Sequence, residues 1–104
     1  MSRSKWVRVG SVRRFDRVEP DRELALKPLE EASEVHGAWQ DYERALGIDD
    51  YIDKLRRGKL LDECADVIQA TLNLVAALGV EDFRPYLKAC ERRNRERGRI
   101  SDGY

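Results

Sequence analysis

The sequence predicts an all-α fold, and three observations carry that reading. The stretch Leu60 to Leu78, LLDECADVIQATLNLVAAL, has the length of about five helical turns and bears apolar residues on nearly every side. A second stretch, from Asp21 to Tyr42, repeats apolar residues at steps of three and four. Gly or Asp stands where each of the expected helices would start or stop.

Residues 1–20 form a basic arm without helical period. Trp6, Val7, Val9, Val12 and Phe15 are β-type residues around Gly10, which predicts a short strand or hairpin. Pro20-Asp21 opens the first helix, with Asp21 as cap and Glu23 at its positive end. Ala25, Leu29, Ala32, Val35, Trp39 and Tyr42 form its expected core stripe. Pro28 lacks an N–H, so it either kinks this helix or marks its true first turn, with the cap near Lys27. His36, beside the stripe, reads as a partly buried structural residue rather than a ligand. Gly47 ends the helix. A short second helix, Tyr51 to Arg57, follows a cap at Asp49 or Asp50 and stops at Gly58. The central helix is closed by Gly79. Asp82 caps the last helix, with Pro85 tolerated in its first turn. There Phe83, Tyr86, Leu87 and Cys90 form the apolar face, Asn94 and Arg97 continue it inward, and Lys88, Arg92 and Arg95 lie on another face. Gly98 ends this helix, and residues 100–104 are a tail.

At 104 residues the chain is one small domain with a modest core, so pairing with a second copy would help to bury the central helix. Net charge is zero but segregated. Residues 1–17 hold six Lys/Arg against one Asp; residues 18–82 hold sixteen Asp/Glu against seven Lys/Arg; residues 83–104 hold seven Lys/Arg against three Asp/Glu. An acidic middle between basic ends suits a metal–phosphate site, although solvated surface charge explains most of these residues. Cys64 and Cys90 fall on apolar helical positions and read as small core residues, not a disulfide. The N-terminus is too polar for a signal peptide and the run Val67 to Val80 too short to span a membrane, which together predict a cytoplasmic protein.

The central helix carries acids where an apolar helix should not. Glu63 and Asp66, three apart, share a face, and Gln69 and Asn73 continue that polar seam. Carboxylates are rarely buried unless they are paired or bind metal. A second pair, Glu31 and Glu34, has the same spacing, with Glu30 beside it and Lys27 one turn before. If both segments are helical and face each other, four carboxylates converge, and their mutual repulsion calls for a cation. An oxygen-only donor set favours Mg²⁺, or Mn²⁺ in its place, over zinc.

E-x-x-E followed by E-x-x-D resembles the all-α nucleoside triphosphate pyrophosphohydrolases, the MazG-like superfamily. K-P-L-E-E-A-S-E-V resembles that family's first helix, L-L-D-E-C-A-D-V-I its second motif, and K-A-C-E-R-R-N-R-E-R-G-R its last helix. The resemblance spans about Asp21 to Arg99, so residues 21–99 are the expected domain. Two features depart from the family pattern: Pro28 in the first helix, and the long gap from Val35 to Asp62 between the motifs.

The resemblance implies a bundle of four helices per chain, completed by a homodimer or higher homo-oligomer, and Mg²⁺-dependent cleavage of a nucleoside triphosphate between the α- and β-phosphates. Glu31, Glu34, Glu63 and Asp66 would be the metal-binding catalytic set, with Glu30 or Asp62 as base or supporting acid. Lys27, Asn94 and Arg97 are candidates for phosphate contacts, backed by Lys88 and Arg93. Gln69 and Asn73 would touch the sugar or base, or else form a buried hydrogen bond between helices. Three alternatives stay open. One is another branch of the superfamily, a dUTP or dCTP hydrolase or the phosphoribosyl-ATP hydrolase. Another is a non-enzymatic helical protein that binds a basic partner through its acidic seam. The third, nucleic-acid binding by the basic ends, has no recognised motif to support it.

Overall fold

A computed structural model describes residues 4–101; residues 1–3 of the expected arm and 102–104 of the expected tail lie outside the described residues. The described residues are helical or irregular and contain no strand. They hold three α-helices: α1 (Arg22–Ala45), α2 (Asp50–Ala77) and α3 (Arg84–Glu96). The chain divides into two compact units, residues 12–79 with α1 and α2, and residues 4–11 with residues 80–101, including α3.

In the larger unit, Asp21 caps α1, its carboxylate accepting the Leu24 N–H at 2.8 Å. The helix therefore begins before Pro28 and contains it, so Pro28 does not mark the first turn and the helix does not start at Leu29. Gly47, at φ 84°, turns the chain in a conformation that a Cβ would strain. Its N–H donates to Asp53 Oδ2 at 3.1 Å. Asp49 then caps α2, accepting from the Tyr51 and Ile52 N–H groups.

The expected short helix and central helix are one element. Gly58 does not stop the chain; it lies inside α2. A helical glycine costs about 1 kcal/mol relative to alanine, less than the hydrogen bonds that continuous helix gains on either side. Gly79, at φ 85°, closes α2 as expected.

A short connection makes α1 and α2 an antiparallel hairpin. The register is visible in the Arg56 Nη1 to Asp41 carbonyl contact near the turn and in the Glu31–Glu63 approach farther along. The inward stripe of α1 is Leu24, Pro28, Glu31, Val35, Ala38, Tyr42 and Ala45, all buried or half-buried. The expected stripe was one position off for much of its length: Val35 and Tyr42 turn in, whereas Ala25, Leu29, Ala32 and Trp39 are exposed, Leu29 at 69%. The buried apolar residues are small, Ala38, Ala45 and Ala70, whereas Leu26, Leu29, Trp39 and Leu55 are exposed. The central helix is likewise not buried all round, since Leu61, Ile68 and Leu78 are exposed. His36 is exposed rather than tucked beside a core.

In the smaller unit, residues 4–11 are irregular, with Gly10 at φ 81°, where a strand or hairpin was expected. The Asp82 carboxylate accepts the Arg84 N–H at 3.1 Å and pairs with its guanidinium, although Phe83 occupies the cap position itself. No residue of α3 is buried. Tyr86, Leu87 and Cys90 are exposed, so the last helix has no sealed apolar face within the chain, and Cys90 is not a core residue. Neither cysteine forms a disulfide. None of the helices is long and apolar enough to cross a membrane.

Candidate metal centre

The hairpin register brings the two acidic motifs together. Glu31 occupies the inward stripe of α1, and Glu63 that of α2. Each of Glu31, Glu63 and Asp66 offers a carboxylate oxygen within 4.8 Å of the others. Glu34 joins through its hydrogen bond to Glu63 and its proximity to Glu31. Three of the four expected ligands, Glu31, Glu63 and Asp66, thus bring oxygens together within one hairpin, and Glu34 lies beside them without belonging to that cluster.

Glu63 is the centre of this group. It is 6% exposed, a degree of burial unusual for a carboxylate. Its Oε1 accepts from Lys59 Nζ at 2.7 Å, one turn earlier on α2, and its Oε2 is buried without a hydrogen-bond donor. Its other neighbours, Glu34 and Asp66, are themselves carboxylates and can supply a hydrogen only when protonated. The Lys59 hydrogen bond holds the Glu63 carboxyl below the usual range. Glu34 is pushed the other way, first by its hydrogen bond to Glu63 and then by the charge of Glu31. One carboxyl keeps its charge while its neighbour tends to keep its proton, which is how like charges at close range share a site.

These residues fit a hard divalent cation. Every donor is a carboxylate oxygen, they come from two helices that fix their spacing, and the buried Oε2 lacks the positive partner that a cation would provide. Lys59, which sequence reasoning did not single out, is part of the same group; its spacing of four before Glu63 was the available signal.

The amide end of the seam has another occupant. Gln69 Nε2 donates to the Arg13 carbonyl and to Asn73 Oδ1, both at 3.0 Å. Asn73 Oδ1 also accepts the Phe15 N–H at 3.0 Å, and Asn73 is 2% exposed. The two carboxamides thus tie residues 13–15 to α2, in place of either a helix–helix bond or an open sugar-binding edge.

Lys27 is exposed and pairs with Glu30 at 3.1 Å; Asp62 is also exposed. In the smaller unit, Asn94 donates to the Cys90 carbonyl and accepts from Arg99. Arg97 follows the end of α3 and is exposed, while Arg95 is half-buried and pairs with Glu91. Arg97, expected inward, is thus exposed and Arg95, expected in solvent, is half-buried, while Asn94 is half-buried as expected.

In comparisons with protein-family models, curated proteins and solved structures, none matches the chain.

Proposed function

We propose that the chain is a Mg²⁺-dependent nucleotide pyrophosphohydrolase of the MazG-like kind, converting a nucleoside or deoxynucleoside triphosphate to the monophosphate and pyrophosphate. The observation that carries this reading is the buried Glu63 carboxylate, with one oxygen lacking a donor, clustered with Glu31 and Asp66 from the two motifs. A purely structural acid would be expected to find donors for both oxygens.

When bound, Mg²⁺ would polarise phosphate oxygens and neutralise their charge. In this proposal Glu31, Glu34, Glu63 and Asp66 hold the ion and fix its position relative to α1 and α2. Glu30 and Asp62, exposed beside the two motifs, are the candidates to accept the proton of the attacking water. Lys27 is a candidate phosphate contact once it leaves Glu30.

The active form is proposed to be a homo-oligomer. Leu26, Leu29 and Trp39 on α1, and Leu55, Leu61 and Ile68 on α2, are exposed large apolar side chains. Their number in so small a unit supports burial against a second copy. Leu29→Glu tests this, because the side chain is open in the single chain: sedimentation should show a dimer or larger species for the parent protein and a folded monomer for the variant.

The catalytic proposal is tested by pyrophosphate release from a panel of ribo- and deoxynucleoside triphosphates with Mg²⁺. Turnover that a chelator abolishes and Glu63→Gln lowers by orders of magnitude is the expected result. Absence of turnover across the panel, in protein that binds divalent ions, would leave the acidic seam as a non-enzymatic binding element.

A further inference from the structure

The smaller unit is as basic as the larger is acidic. Its described residues contain nine Lys/Arg against four Asp/Glu, whereas residues 12–79 contain ten against fifteen. The excess is ordered. Arg84, Lys88, Arg92 and Arg95 recur at steps of four, four and three, so they follow one side of α3. At about 1.5 Å per residue they span about 16 Å of helix. Trp6 comes to the same side. With these four cations, Leu87 and one acid, Glu91, it lines an open groove of about 590 Å³, and its side chain remains 69% exposed.

We propose that this groove binds single-stranded nucleic acid, with the α3 cations following the phosphates and Trp6 stacking on a base. A linear row of cations next to an accessible aromatic face is the combination that single-strand binding uses. Two acids moderate the field: Asp82 pairs with Arg84, and Glu91 with Arg95. Lys88 and Arg92 are in no ion pair among the described residues, and they occupy the middle of the row. An anionic membrane is the poorer match. A helix lying on a bilayer separates its apolar face from its charged face, whereas here Trp6 and Leu87 share one groove with the cations. The proposal uses no residue of the acidic cluster and does not depend on turnover.

The test is fluorescence anisotropy of a labelled single-stranded oligonucleotide with the full chain, read together with quenching of tryptophan emission. Binding should be saturable at low salt, and its logarithm should fall linearly with that of salt concentration, with a slope of about −2 to −3 for three or four phosphates. Trp6→Ala should weaken binding about five- to hundredfold, the range for one stacked base, with little change in salt slope. Lys88→Glu combined with Arg92→Glu should abolish binding at the same salt, while circular dichroism shows the helices retained. Trp6→Phe, which keeps an aromatic face, should recover most of the affinity lost in Trp6→Ala. The proposal is overturned if the parent protein shows no saturable binding, if Trp6→Ala binds as the parent does, or if vesicles containing anionic lipid bind the chain while the oligonucleotide does not.

Discussion

Lys59 Nζ lies 2.7 Å from Glu63 Oε1, joining an exposed cation to the most buried carboxylate among the described residues. The pair sets a pH window. Glu63 is held below its ordinary 4.5, so its contribution to stability is present above pH 4.5 and lost as pH falls through the folded-state value. Lys59 is held above its ordinary 10.5, mainly by its hydrogen bond to Glu63. Its contribution is present below that pH and lost as pH rises through the folded value. Lys59→Met should therefore destabilise the divalent-free protein between those limits. It should also strengthen Mn²⁺ binding about two- to fivefold, because a competing cation is removed; the scale is that of a partly exposed pair. Weaker Mn²⁺ binding in the variant would make Lys59 a support for the site rather than a competitor.

Glu34 gives the opposite sign. Its carboxyl is raised, so whatever stability it contributes is complete below pH 4.5 and lost as pH rises through its folded value. At neutral pH the Glu34 charge then works against the fold. Glu34→Gln should raise the melting temperature in chelator at pH 7 and have little effect near pH 4. A variant that melts lower than the parent at pH 7 would contradict the repulsion argument.

Asn73 anchors the chain before α1. Asn73→Ala removes the acceptor of the Phe15 N–H and a partner of Gln69. Unmet buried polar groups of this kind cost about 1–3 kcal/mol. Amide exchange at Phe15 should accelerate strongly in the variant while amides in the middle of α1 change less. Unchanged Phe15 protection would show that residues 13–15 are held by something other than the two carboxamides.

Gly58 sits in the interior of α2, and a Cβ built there meets nothing within 4 Å. Gly58→Ala should stabilise the protein by about 0.5–1 kcal/mol, the helix cost of glycine, measured by urea denaturation. A loss of stability would mean that this face of α2 is covered by a partner in solution.

Much of the helical content was legible because the signals are local. Asp21, Gly47, Asp49 and Gly79 each act within a few residues, and each does what its chemistry predicts. Gly58 misled because its penalty is real but smaller than the gain from continuous helix, and Pro28 is likewise carried inside α1 rather than at its first turn. The phase of α1 differs because Leu29 and Trp39 look like core residues, whereas the buried positions of that helix are Ala38 and Ala45. The acid pairs were readable from spacing, and their meeting required only the hairpin. The Asn73–Phe15 contact could not be read, because Phe15 lies 58 residues away on irregular backbone, where no periodicity points.

The most direct test of the central claim is a calorimetric titration of the chain with Mn²⁺ in the absence of nucleotide. Saturable binding in the millimolar range or tighter, lost in Glu63→Gln and accompanied in the parent by a higher melting temperature, is the expected result. No binding heat, or an isotherm that Glu63→Gln leaves unchanged, would contradict it.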